Sequence, residues 1–236
     1  MRLIICMRMK SLIETYFEAF YHLHNNVSIN NRSTTNGEFD LDDTKKPDFI
    51  VEYHNGFASF VNKENHVIQV LDYEGYIKSF ENCPSFANHR LRCDFIIEDK
   101  ANQAIILCEV TSTKYGVSGM LKPILNKNKD TVLFAGGKFE KVEDQLLDSL
   151  QTLENVPQIR EYFNSFLERV CLCSYKLYRD NRVPIQIQRS IDAFNRYLEI
   201  EERETGENGA ILISEQINKR GFVYKRISHN YSYAIN

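Results

Sequence analysis

Two apolar runs, Phe95 to Ile97 and Ile105 to Val110, flank the polar stretch Glu98 to Gln103. Runs rich in Ile, Val and Phe around such a stretch predict two adjacent antiparallel strands joined by a turn. Downstream, Phe139, Val142, Leu146, Leu150 and Leu153 recur at three- and four-residue intervals, which predicts an amphipathic helix over residues 138–153 packed on the sheet. A helix is expected over 11–24, with Ser11 and Glu14 spaced as a capping box. Residues 25–46 are polar and Asn-rich and read as a flexible connector. Short alternating segments over 48–53, 57–61 and 67–73, separated by Asn-Gly and Lys-Glu-Asn turns, predict an antiparallel meander. Further on, the pattern predicts a helix over 156–168, a buried strand over 170–177, a helix over 186–204 and a terminal strand pair over 210–214 and 222–227.

The sum is an α/β fold, a central mixed sheet flanked by helices with an additional antiparallel β meander. Residues 1–46 are expected to form an N-terminal helix and polar connector, 47–228 the α/β core and 229–236 a loose tail.

The hairpin carries the most pointed chemistry. Asp94 opens the first run and Glu109 lies within the second, and a turn centred between Ala101 and Asn102 sets them opposite each other. Directly opposed residues have Cβ atoms roughly 5 Å apart, so two like charges placed so need compensation. A divalent cation compensates them, and Mg²⁺ favours hard oxygen ligands of this kind. The spacing leaves a second arrangement open, because a one-residue change of register moves the acids to opposite faces as ordinary strand-end acids.

Asp94 in Cys93-Asp94-Phe95 and Glu109 in Glu109-Val110-Thr111 resemble the motif of the PD-(D/E)xK nuclease superfamily, the restriction-endonuclease-like fold. There, an Asp at the start of one strand and an acid-x-Lys on the next gather Mg²⁺ and polarise the attacking water. Cys93 stands where Pro is frequent, and Thr111 stands where the lysine should be. The resemblance implies a Mg²⁺- or Mn²⁺-dependent nuclease acting on DNA or RNA, in a bacterial defence or restriction setting. It implies Asp94 and Glu109 as metal ligands, and Glu18 of the first helix as a further acid. Lys141 and Gln145, four apart on the helix that follows, resemble the Lys and Gln that often point into such sites. Lys114, three residues past Thr111, is the other candidate for the missing ammonium. Asp48, in Pro47-Asp48-Phe49, is a second choice for the first acid, although no acid-x-Lys strand follows it at hairpin distance. Because of Thr111, the alternative is a nuclease-like fold that binds nucleic acid or a protein without cutting.

Composition and charge refine this picture. The 236 residues carry a net charge of −3, yet residues 112–141 hold Lys114, Lys122, Lys127, Lys129, Lys138 and Lys141 against only Asp130 and Glu140. The first five of these lysines, beside an acidic hairpin, suit a phosphate backbone, although lysine-rich loops are also common as solvated surface. Nucleic acid, DNA first, is the implied partner, with a second copy of the chain or a partner protein as further candidates. With 43% hydrophobic and 26% charged residues the chain suits one core of ordinary soluble type. No apolar run approaches the ~20 residues of a membrane span, and Leu3 to Met7 is too short for a secretory core, so a cytoplasmic location is expected. Four of the six cysteines lie in apolar runs and read as buried thiols. The six histidines form no metal-ligand or nucleophile-base spacing.

Overall fold

The computed structural model describes residues 7–23, 27–80, 83, 86, 90–113, 123–125, 132–134, 138–177, 196, 200 and 203–235. The chain opens with helix α1, built from α-helical Met9–Leu12, a π-helical turn Ile13–Phe17 and α-helical Glu18–Tyr21. Strands β1 (Asn31–Thr34), β2 (Glu38–Leu41), β3 (Ile50–Val51), β4 (Ala58–Val61) and β5 (Ile68–Asp72) follow, then helix α2 (Tyr73–Lys78). Strands β6 (Phe95–Asp99) and β7 (Ala104–Thr113) form the central hairpin. After them come the short pair β8 (Pro123–Leu125) and β9 (Val132–Phe134), helices α3 (Lys138–Glu154) and α4 (Pro157–Phe163), and β10 (Glu168–Leu177). Strand β11 (Ala210–Leu212), helix α5 (Glu215–Lys219), β12 (Val223–Ser228) and β13 (Ser232–Ala234) close the fold.

Seven strands form one mixed sheet in the order β1-β5-β6-β7-β10-β12-β11. The first four pair antiparallel in sequence, β7, β10 and β12 run parallel, and β11 returns antiparallel at the edge. The parallel step from β7 to β10 needs a long crossover, and α3 and α4 lie within it. A second sheet, β13-β4-β2-β3, covers the other face. The α/β architecture with a large mixed sheet is therefore as the pattern of apolar positions predicts.

Strand parity explains why both faces are buried. Ile96, Ile105, Leu107, Cys171 and Cys173 pack with Phe139, Val142, Leu146, Leu150 and Leu153 of α3 in one core. Phe95, Ile97, Ile106, Cys108, Val170 and Leu172 pack with Phe39, Leu41, Phe49 and Phe60 in the other. The apolar stripe of α3 is the one its spacing predicts. Cys93, Cys108, Cys171 and Cys173 are buried free thiols.

Four expectations need correction. The segment read as a flexible connector carries β1 and β2, which pair with β5 and β4. Its polar residues are structural: buried Asp40 accepts from the Gly56 N–H at 2.8 Å, and Asp42 accepts from the Thr44 N–H at 2.9 Å. The three segments after it are strands but not a meander, because β2 lies between β3 and β4 while β5 joins the large sheet. The tail is not loose: β13 pairs parallel with β4, and Tyr233 and Ile235 are each 1% exposed. Finally, Ser11 lies inside α1 rather than capping it, and Glu14 instead accepts from Ser28 Oγ and the Ile29 N–H. The start of α1 is tied to the sheet by Glu98, fully buried, which accepts from the Met9 N–H at 2.9 Å and pairs with Arg8 at 3.2 Å. Most of the helix expected over 186–204 lies outside the described residues.

The ordered end makes Tyr233→Ala a decisive substitution. Its hydroxyl donates to Glu168 at 2.8 Å and meets Lys225 Nζ at 2.8 Å, and its ring lies 6.4 Å from that of Phe60. Emptying such a site should lower the urea unfolding free energy by about 3–5 kcal/mol, whereas a loose tail would leave it unchanged.

Candidate functional site

The β6–β7 register pairs Phe95 with Cys108, Ile96 with Leu107 and Ile97 with Ile106. Continued by one residue, it sets Asp94 against Glu109, both on the face that carries α3. The turn is thus centred between Ala101 and Asn102. This is the first of the two arrangements that spacing leaves open.

The segment before β6 has no strand partner of its own, and α3 holds it in place. Gln145 Nε2 donates to the Arg92 carbonyl at 3.0 Å, and one turn on, Ser149 Oγ accepts from the Cys93 N–H at 2.7 Å. From the other side, the N–H groups of Tyr73 and Glu74, at the start of α2, donate to the Asp94 carbonyl at 3.0 and 3.2 Å. The Asp94 side chain then completes the ladder itself, its Oδ2 accepting from the Val110 N–H at 2.8 Å. Backbone on both sides of Asp94 is fixed, so its carboxylate is aimed rather than free.

Both carboxylates are buried, Asp94 5% and Glu109 6% exposed. Burial pushes Asp94 up to about 7; the Val110 N–H and Lys46 oppose the rise, while Asp43 and Glu74 add to it. Burial, then Asp94 and Glu74, hold Glu109 well above the usual carboxylate range, against hydrogen bonds from Gln145 and the Asp94 backbone. Glu109 Oε2 is buried without any hydrogen-bond partner. A buried, unpaired carboxylate oxygen is costly, and beside a second carboxylate it is the local arrangement a cation relieves.

The other expected site residues are distributed unevenly. Gln145 reaches the pair. Glu18 accepts from the Tyr76 hydroxyl at 2.9 Å, while the third acid acting on both Asp94 and Glu109 is Glu74. Lys141 is exposed on α3. Asp48 is exposed and pairs with Arg32 at 2.8 Å. Thr111 lies two residues along β7 from Glu109, on the same face and opposite Tyr175. Lys138 begins α3, and Lys114, Lys122, Lys127 and Lys129 lie outside the described residues. Among the described residues no group of three or more His, Cys, Asp or Glu side chains is arranged to hold a metal.

Sequence reasoning missed Lys46 and Glu74. Lys46 follows the 3₁₀ turn Asp43–Lys45, and its Nζ lies 2.7 Å from Asp72 Oδ1 and 3.1 Å from Glu74 Oε2. Asp72 caps α2 through the Gly75 N–H at 2.9 Å, and a Cβ at position 75 would collide with that carboxylate. The one available signal was the Asp72-x-x-Gly75 cap spacing, which ends the strand at 72 and starts a helix there. Among the described residues no helix is long and apolar enough to cross a membrane.

In comparisons with known proteins, no family model matches the chain, and no curated protein and no solved structure matches it.

The pair makes stability pH-dependent in a defined direction. Both folded-state values are raised, so between about pH 4 and 7 the native state binds more protons than the unfolded chain, and stability falls as pH rises through that window. In EDTA, Glu109→Gln should melt higher than wild type at pH 8, by about 1–3 kcal/mol or roughly 2–10 °C, with the difference closing at pH 4. A Glu109→Gln protein no more stable than wild type at pH 8 would contradict the strained pair.

Proposed function

We propose that this chain is a Mg²⁺- or Mn²⁺-dependent nuclease of the restriction-endonuclease-like, PD-(D/E)xK kind, hydrolysing phosphodiester bonds of DNA or RNA. The observation that carries the reading is the opposed, buried pair Asp94 and Glu109 with the unpaired oxygen Glu109 Oε2. The residues fit the implied cation: two hard oxygen donors from adjacent strands, like-charged and each raised in pKa, are what Mg²⁺ binds and what protons alone satisfy poorly. Bound between them, the cation would lower the pKa of a water and offset charge on the phosphate.

The chain's own residues supply aim. The Val110 N–H orients Asp94, and Gln145 orients Glu109 while holding the Arg92 carbonyl. In hydrolysis the water oxygen bonds to phosphorus as the bond to the leaving oxygen breaks, with that electron pair staying on the leaving oxygen. With both carboxylates assigned to the cation, the proton released by the water passes to solvent, and the leaving oxygen takes one from solvent. Support also comes from the order of parts: acid at the start of β6, acid on β7, then a helix whose Gln reaches both strands.

A second reading, a nuclease-like fold that binds nucleic acid or a protein without cutting, is favoured by Thr111 at the motif lysine position.

Incubation with plasmid and single-stranded DNA and RNA in Mn²⁺ separates the readings. Cleavage should appear in wild type and fall at least about a hundredfold in Asp94→Asn, the scale on which removing one electrostatic partner of a transition state acts. Binding without cleavage would favour the second reading, and cleavage unchanged in Asp94→Asn would remove the first.

A further inference from the structure

We propose that β11 is the contact of a homodimer, in which this edge strand pairs antiparallel with β11 of a second copy about a two-fold axis through Leu212. The inference stands apart from the nuclease reading and concerns a different part of the sheet.

The two edges of the seven-stranded sheet are built differently. At one edge, β1 reads Asn31-Arg32-Ser33-Thr34, with Arg32 paired to Asp48 at 2.8 Å and Asn31 accepting from Lys10 at 2.9 Å. Charged and polar side chains of this kind protect an edge from pairing with another chain. At the other edge, β11 reads Ala210-Ile211-Leu212 and runs on into Ile213, with no charge and no proline. Ile211 is 70% exposed and Ile213 98% exposed. An edge strand turns a row of N–H and C=O groups outward, and here apolar side chains accompany them.

The isoleucines share one face. Ile211 lies opposite Lys225, whose Nζ reaches the Tyr233 hydroxyl of the second sheet at 2.8 Å. One step along the same register, Ile213 falls opposite Val223, itself 36% exposed. By strand parity these side chains stand on the face that the second sheet covers over the middle of the large sheet. At the edge that cover ends, and Ile211, Ile213 and Val223 are left in water. Leu212 points the other way and packs against the core beneath α3.

The surface that fits this edge is the same edge. Pairing about Leu212 sets Ile211 of each copy opposite Ile213 of the other, Leu212 opposite itself and Ala210 opposite Ser214, so every position is apolar or small. Centring the axis on Ile211 leaves Ile213 facing Gly209, and centring it on Ile213 sets Ile211 against Glu215. Directly opposed side chains on one face interact, so the register about Leu212 is the one that matches. The four isoleucines and both copies of Val223 then form one apolar patch across the joined sheets. Such an isologous contact is closed, because each copy uses the same strand and none is left over.

Sedimentation velocity of the full chain across a concentration series tests the contact. Wild type should pass from 27.6 kDa toward twice that mass as concentration rises. Ile213→Lys should stay at the monomer mass throughout with its far-UV circular dichroism unchanged, because the side chain is exposed and a lysine on an edge opposes pairing. Leu167→Lys, at a residue 83% exposed just before β10, should dimerise as wild type does. The register is tested with Ile211→Cys and Ile213→Cys. Directly opposed residues have Cα atoms roughly 4.5–5.5 Å apart, within the span of a disulfide. After exchange of subunits and oxidation with diamide, the mixture of the two proteins should give a covalent dimer on a non-reducing gel, and either protein alone should not. A wild type that is monomeric at every concentration assigns the edge to a different partner and overturns the proposal. A dimer that Ile213→Lys leaves intact overturns it as well, and cross-linking of either cysteine protein alone but not of the mixture overturns the register about Leu212.

Discussion

The register of one hairpin imposes the constraint around which the rest of this molecule is arranged. Pairing Phe95 with Cys108 leaves Asp94 and Glu109 opposed at the end of a sheet that is covered on both faces. A shift of one residue would relieve the repulsion, but it would also send the side chains of one strand, Phe95, Ile96 and Ile97 or Ile105 to Cys108, each into the core on the opposite face. Forcing several side chains into a core packed for others costs on the order of 1–3 kcal/mol per overpacked site, more in sum than the electrostatic penalty. The apolar pattern wins, and the carboxylates are held in a strained pair as a result.

The surroundings reinforce the pair instead of dissolving it. Gln145 and Ser149 clamp the backbone before Asp94, α2 donates two N–H groups to its carbonyl, and Val110 fixes its side chain. A purely structural acid at a strand end would be expected to turn toward solvent. Here every nearby element holds it inward, and one oxygen of its partner is left without a donor. That arrangement, two buried carboxylates with one unpartnered oxygen between fixed backbones, is what the proposed cation site rests on.

Local periodicity carried much of the fold. The α3 stripe, the β6–β7 hairpin and β10 follow from apolar spacing, because each buries a face whose repeat is visible over several residues, while the hairpin register was one of two that spacing allows. What local pattern cannot carry is partnership between distant segments. Strand β1 is polar in composition and β2 carries only Phe39 and Leu41 as apolar residues, and they are strands because β5 and β4 offer them edges while Asp40 satisfies the buried Gly56 N–H. Strand β13 is ordered by its pairing with β4 and by Tyr233 meeting Glu168, residues far away in the chain. The candidate site divides in the same way. Asp94 and Glu109 were legible as one of the two arrangements hairpin spacing allows and Gln145 through the family resemblance, whereas Glu74 and Lys46 arrive through a cap and a turn whose position depends on β5 and α2. Glu18 was placed by analogy of order, and Tyr76 claims it instead.

If the strained pair exists to receive a cation, loading must displace the protons that burial and mutual repulsion retain on it. Calorimetric titration of the metal-free protein with Mn²⁺ at pH 7, repeated in two buffers of different ionisation enthalpy, counts those protons. The account predicts saturable binding with release of about one proton per cation, and loss of both in Asp94→Asn/Glu109→Gln. Absence of saturable Mn²⁺ binding, or binding that is unchanged in the double variant, would contradict it.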